Sequence, residues 1–116
     1  MIFHITPREA WMAAQSTGQY EADSLKAEGF IHCSQHHQVL EVAHRLFPKI
    51  QGLVLLAIDP KLLAVDLRYE NCEGGIEQYP HIYGSIPIAA VKAVFPFAPN
   101  ADGQFVFPVS TDADWW

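Results

Sequence analysis

Read as apolar and polar positions, the chain changes period several times along its length. Ile2-Phe3-His4-Ile5 is a short β-like opening that sets a histidine between apolar neighbours. Thr6-Pro7-Arg8-Glu9 then joins an N-cap threonine, a proline at the first helical position and a glutamate three residues past the cap. Such a capping box predicts a helix from Pro7 to Gln15, with Ala10, Trp11 and Ala14 facing inward and Ser16-Thr17-Gly18 ending it. Gln19 to Glu21 reads as a brief strand. Asp23-Ser24 is placed to cap a helical turn over Leu25 to Glu28 that Gly29 terminates.

The stretch Gly29-Phe30-Ile31-His32-Cys33-Ser34 leads two apolar residues into a histidine and then a serine of strong capping character. It predicts a strand handing over to a helix capped by Ser34. The run Gln35 to Phe47 repeats apolar residues at helical spacing, and Val39, Leu40, Ala43, Leu46 and Phe47 make one inward stripe. His37, Glu41 and His44 share another face, read as a solvated polar face rather than a metal pair. Pro48 stops this helix, and Leu53 to Ile58 is a continuous apolar run, as expected of a central strand covered on both faces.

Asp59-Pro60 begins a turn, Lys61 to Ala64 reads as one helical turn, and Val65 to Tyr69 alternates like a strand. Glu70 to Gln78, with Gly74-Gly75, reads as a mobile loop. Ile86 to Phe97 is β-compatible, and Pro87 and Pro96 make it an edge or interrupted strand. Asn100-Ala101-Asp102-Gly103 predicts a hairpin returning through Gln104 to Phe107, and the acidic tail Thr111 to Trp116 ends in Trp115-Trp116, a fold-back segment or a contact surface. Together these elements predict an α+β fold: one compact domain over 1–116, with two main helices first and a mostly antiparallel sheet.

Composition narrows the function. The 116 residues are half apolar, enough for a real core, and 7 Lys plus Arg against 13 Asp plus Glu leave a formal charge of −6. The cations are scattered from Arg8 to Lys92, so double-stranded nucleic acid and anionic membrane surfaces are poor partners, and a small-molecule ligand is favoured. No apolar run is long enough to cross a bilayer, and Met1-Ile2-Phe3-His4 lacks the pattern of a leader, which predicts a cytoplasmic protein. Cys33 and Cys72 have no pairing motif, so two free thiols are expected in preference to a disulfide.

The fingerprints of nucleotide-binding Gly-rich loops, serine hydrolase elbows and zinc-protease helices are absent. What stands out is His4, His32 and His81, each on a short β-like segment, with hydroxyls nearby at Thr6, Ser34 and Tyr83. At His32 a helix N-terminus with free N–H groups beside an imidazole would suit an anion; the competing reading is a hydrogen-bonded structural histidine. Tyr79-Pro80-His81-Ile82-Tyr83-Gly84 carries more polar aromatic chemistry than a turn needs, although a rigid turn packed on the core would also account for it.

The run His4-Ile5-Thr6, the motif GFIHCS at Gly29 to Ser34, LVLLAID at Leu53 to Asp59 and PHIYG at Pro80 to Gly84 resemble, in order and spacing, the small bacterial Domain of Unknown Function 952 family. The resemblance spans about residues 2–97, leaving a hairpin and tail at 98–116. That family is considered distantly similar to the ADP-ribosyltransferase fold of toxins, poly-ADP-ribose polymerases and tRNA 2′-phosphotransferases. The resemblance implies that His4 matches a first-strand histidine contacting a nicotinamide ribose, and that His32 lies near the second-motif position. It places His81 near the third-motif position, where most transferases carry glutamate. An imidazole there redirects the chemistry, since it does not supply the charge of a carboxylate to an oxocarbenium-like centre. The resemblance assigns no certain cofactor and makes NAD a candidate substrate.

Three functional readings result. One is an enzyme whose histidine-lined cleft acts on NAD or another ribosyl or phosphorylated small molecule, with His4, His32 and His81 catalytic and Thr6, Ser34 and Tyr83 contacting the ligand. Another is a binding module with the same cleft and no catalysis. The last is a metal site made of the three histidines.

Overall fold

A computed structural model describes residues 1–71 and 74–108. Cys72 and the tail Thr111 to Trp116, with its two tryptophans, lie outside the described residues. The chain runs β1 (Ile2–Pro7), α1 (Arg8–Thr17), β2 (Gln19–Tyr20), α2 (Asp23–Glu28), β3 (Ile31–His32), α3 (Val39–Leu46) and β4 (Leu53–Ile58). Then follow β5 (Leu67–Glu70), β6 (Tyr79–Ile82), β7 (Ile86–Pro87) and β8 (Val91–Phe97). It is a small α+β domain whose strand pairings among the described residues are all antiparallel, in the orders β1-β4-β8, β2-β7 and β3-β6-β5. Among the described residues no helix is long and apolar enough to cross a membrane.

The apolar run Leu53–Ile58 is the central strand of the first sheet and is buried at all six positions. Because strand side chains alternate, the even positions Val54, Leu56 and Ile58 join Ile2, Trp11, Ala14 and Tyr20 in one core, while Leu53, Leu55 and Ala57 join Phe3, Ile5, Val39 and Ala43 in another. So α1 covers one face of this sheet and α3 the other. Full burial of one leucine or isoleucine here is worth about 1.5–3 kcal/mol of transfer free energy.

Several local expectations are corrected by pairing. The capping box at Thr6 does not form: β1 continues to Pro7, Thr6 pairs with Val54, and the helix begins at Arg8 with no side-chain cap. A strand partner outbids a cap when the residue is also buried, as Thr6 is. Asp23 likewise lies in the first turn of α2 rather than before it. Ser34 does not cap a helix either. Its backbone forms an isolated bridge with Phe3, and the following segment divides into a 3-10 turn at His36–Gln38 and α3, its start closed by Gln38 accepting the Gln35 N–H at 2.8 Å.

Leu46, assigned to the inward stripe, is 55% exposed, whereas Val39 and Ala43 are buried. His44 is not on a solvated face, because its Nε2 accepts the Phe105 N–H at 2.9 Å. The helical turn after Asp59 is a 3-10 turn at Pro60–Leu62, and the strand after it begins at Leu67. The Tyr79–Gly84 cluster is no turn: Tyr79–Ile82 is the middle strand of its sheet. The Asn100 to Gly103 turn forms, but Gln104 to Phe107 is not a strand; Phe105 instead stacks on Phe97 with ring centroids 4.9 Å apart.

Candidate functional site

The two three-stranded sheets meet where Phe3 and Ser34 exchange backbone hydrogen bonds of 2.9 and 2.7 Å. Beyond that bridge β1 and β3 part, and a cleft of about 510 Å³ opens between them. Peptide groups of an antiparallel strand alternate between its two edges. Phe3 turns its N–H and C=O toward β3, so Ile5, two residues on, turns its own the same way into the gap, and Ile5 lines the cleft.

The ring of His4 sits at the apex. Its Nδ1 lies 2.6 Å from the His32 carbonyl and its Nε2 lies 2.8 Å from the Tyr20 hydroxyl, which is also 2.8 Å from Thr6 Oγ1. Burial lowers the His4 pKa to about 4, against the raising effect of the His32 carbonyl. With the ring neutral and Nδ1–H donating to that carbonyl, Nε2 is an acceptor, so the phenol donates to His4 and the Thr6 hydroxyl completes the chain by donating to the phenol. Burial raises the Tyr20 pKa to about 12, with the Thr6 hydrogen bond opposing it. Hence His4 lines the cleft with both nitrogens engaged inside the protein.

His81 is arranged in the opposite sense. The β3–β6 register places it across from His32, with ring centroids 5.2 Å apart, and Phe30 stacks on its face at 4.2 Å. The β5–β6 register places Glu70 diagonally behind it. Glu70 Oε1 accepts from His81 Nδ1 at 3.0 Å and from the Tyr83 hydroxyl at 2.5 Å. Those hydrogen bonds, Tyr83 first, hold the Glu70 carboxyl below its ordinary pKa, so it remains a carboxylate. A carboxylate on Nδ1–H fixes the tautomer and leaves Nε2 as a lone pair. His81 is only 3% exposed and lines the cleft, and among the described residues its Nε2 has no hydrogen-bond partner and is not an occluded atom.

The remaining expected residues divide. His32 is at the rim, exposed, with Nε2 2.9 Å from Glu28, and Ser34 is a buried residue whose side chain reaches the cleft. Thr6 lines it too, through its bond to Tyr20. Tyr83 is not on the cleft wall; it lies behind Glu70 with the Arg68 guanidinium 4.5 Å over its ring, so it meets a ligand only through Glu70 and His81. The expected anion cradle at a helix N-terminus is missing, since the Ser34 N–H goes to Phe3, the Gln35 N–H to Gln38, and α3 starts outside the cleft.

Cys33 is a free, buried thiol whose pKa burial pushes up, which leaves it protonated and a poor nucleophile. Among the described residues no three His, Cys, Asp or Glu side chains converge in a manner that would hold a metal, and His4 has no nitrogen to give. Sequence reasoning missed Tyr20 and Glu70. Tyr20 lay in a two-residue strand and Glu70 at the start of a presumed loop, and only cross-strand pairing puts them beside His4 and His81.

The family model described as "Protein of unknown function (DUF952)" matches residues 5–94. The chain belongs to the DUF952 family. The matched span contains Tyr20, His32, Ser34, Glu70, His81 and Tyr83, and begins one residue after His4. Among solved structures this DUF952 chain is similar to the X-ray structure of protein CC0527 from Caulobacter crescentus, at 34% identity and a TM-score of 0.81, covering 90% of this chain and 92% of that one. The solution NMR structure of CC0527 is similar at 35% identity and a TM-score of 0.77, covering 89% of each. No curated protein matches the chain.

Proposed function

We propose that the cleft is an acid–base site for NAD or another ribosyl or phosphorylated small molecule, in the manner of the ADP-ribosyltransferase-like fold. The observation that carries this reading is His81, buried in the cleft wall, whose Nδ1 proton is held by the Glu70 carboxylate and whose Nε2 has no hydrogen-bond partner among the described residues. His81 Nε2 takes the proton of an attacking hydroxyl as its oxygen bonds to C1′ of the ribosyl group and the glycosidic C–N bond breaks, releasing a neutral base. Glu70 stabilises the imidazolium that results. The carboxylate that ADP-ribosyltransferases carry at the third-motif position thus has a counterpart one strand away, acting through the histidine.

The Ile5 peptide group offers a donor and an acceptor side by side, a match for a carboxamide such as that of nicotinamide, and Ser34 and His32 supply further polar contacts. His4 acts by holding Tyr20 and the His32 carbonyl in place rather than by exchanging a proton. A free thiol at Cys33 fits a reducing, cytoplasmic setting. The test is NMR titration with NAD and ADP-ribose alongside chromatographic detection of released nicotinamide, for the wild type and His81→Gln. Absence of shifts around Gly29–Ser34 and Tyr79–Tyr83 with either compound removes the proposal.

A second reading is favoured by charge: Glu21 and Asp23 line the cleft, and Arg45 is the one Lys or Arg among the residues assigned to its wall. On that reading the cleft only binds, and prefers a ligand of low negative charge. Saturable binding with no nicotinamide release selects it.

A further inference from the structure

Ser34 and His81 are 5% and 3% exposed, and both line the cleft. Among the described residues neither the Ser34 hydroxyl nor His81 Nε2 has a hydrogen-bond partner, and neither is an occluded atom. Two polar atoms on buried side chains, open to one cleft and left without partners by the fold, fit a nucleophile and its base.

Strand register places the two side chains together. The β5–β6 register sets Glu70 on a diagonal from His81, where it meets Nδ1. On the other side of β6, His32 is opposite His81, and the bond of 2.9 Å from the Cys33 N–H to the Pro80 carbonyl carries that register one residue further. Ser34 then falls on a diagonal from His81 in the same sense as Glu70 does. Because side chains alternate, Ser34 shares the face of His32 and His81, while Ile31, Cys33 and Ile82 go to the core. Diagonal neighbours lie about 7–8 Å apart, a separation that a ring such as imidazole spans. His81 thus has a carboxylate on one side and a hydroxyl on the other, in the order nucleophile, base and orienting acid. That constellation is recognised by roles and geometry, and it does not require the strand-to-helix elbow that Ser34 lacks.

The backbone adds donors. The Ile5 N–H is turned into the gap between β1 and β3. With Cys33 bonded to β6, alternation turns the peptide groups of His32 the other way, and its carbonyl is the one that His4 Nδ1 reaches at 2.6 Å. The N–H groups of Ile5 and His32 therefore both face the gap, where a pair of donors stabilises an oxygen that becomes negative.

Resting on the acid–base role of His81 but not on a ribosyl ligand, we infer that Ser34 is a nucleophile and that the cleft cleaves carboxylic esters. Ser34 Oγ bonds to the ester carbonyl carbon as its proton passes to His81 Nε2. The bond to the leaving alkoxide breaks, and that oxygen takes the proton. Water, giving a proton to His81, then displaces the acyl group, and His81 returns the proton to Ser34. The substrate class is an uncharged ester of a short apolar acid. Ile5, Ala10 and Phe47 line the cleft, Glu21 and Asp23 on its wall repel anions, and its volume of about 510 Å³ is within the roughly 300–1,000 Å³ usual for small ligands.

The experiment treats the full chain with diisopropyl fluorophosphate, reads intact mass and the labelled peptide by mass spectrometry, and follows hydrolysis of p-nitrophenyl butyrate. One phosphoryl group should add, at Ser34. Labelling and hydrolysis should both fall about 100-fold or more in His81→Gln, the usual share of a general base, and hydrolysis should fall as far in Ser34→Ala. Ser24→Ala, at the other serine of the cleft wall, should keep both. Melting curves confirm that the variants fold, and mapping the label on the wild type requires no variant. No label, a label on another residue, or labelling and hydrolysis that His81→Gln leaves unchanged overturns the inference. A label at Ser34 that depends on His81, with no response to NAD or ADP-ribose, keeps this inference and removes the ribosyl reading. A response to NAD without any label does the reverse.

Discussion

Burying His4 as a neutral ring ties the stability of the domain to pH. Its pKa is about 4 in the folded chain against 6.5 as the ordinary value, with burial as the leading cause. A depressed folded pKa means that the unfolded chain binds a proton first. The stabilisation is therefore complete above about pH 6.5 and is lost as pH falls toward 4. At pH 5 the linkage relation for these two values gives a loss of about 2 kcal/mol relative to pH 8, out of the roughly 5–15 kcal/mol typical of a domain. Glu70 and Glu77, whose carboxyls hydrogen bonds hold below their ordinary pKa, lose their contributions at lower pH, outside the interval from 7.5 to 5, and within it the comparison with a His4 variant separates His4 from the other five histidines. Urea denaturation at steps of pH across that interval measures the slope, and His4→Gln, which carries no titrating proton, should flatten it. A wild-type stability constant to within about 0.5 kcal/mol from pH 7.5 to 5, or a His4 resonance titrating near 6.5, would refute the reasoning.

Three further outcomes are expected. Tyr20→Phe removes the donor to His4 Nε2 and the partner of Thr6, and leaving these buried groups unpaired should cost about 2–4 kcal/mol in chemical denaturation; a cost below about 0.5 kcal/mol would mean water fills the place of the hydroxyl. Glu70→Gln should loosen the His81 tautomer, seen as a changed pattern of imidazole nitrogen shifts, and lower any turnover in the cleft by about 10–100-fold, the range for losing a histidine's orienting partner; an unchanged tautomer population would show that Glu70 does not set it. Gly84→Ala would bring a new Cβ to 2.5 Å from Val65 Cγ1, so overpacking should cost about 1–3 kcal/mol in a thermal or urea melt, and Val65→Ala in the same chain should restore part of it.

Elements whose signal is local were readable from the residues alone. Leu53–Ile58 had to be a doubly covered strand because nothing in it tolerates solvent, and Gly18 and Gly29 close their helices at positive φ, 81° and 92°, as their places after the periodic segments foretold. The three histidines and the hydroxyls of Thr6 and Ser34 were legible as chemistry, and so was the absence of a basic surface. What those residues touch depends on the packing of distant segments. Thr6 and Ser34 have good capping side chains, yet both lie in extended backbone because strand partners and burial exceed a cap worth about 1 kcal/mol. Pro80, a turn residue by local reading, sits second in a central strand, where its carbonyl still accepts the Cys33 N–H and its missing N–H costs one ladder bond. Leu46 obeys the helical period of the core but falls on the cleft, since periodicity gives the width of an apolar stripe and not what covers each part of it. The pairing of Glu70 with His81 and of Tyr20 with His4 spans 11 and 16 residues, and such contacts are set by strand register and by the parting of β1 from β3, which no local pattern encodes.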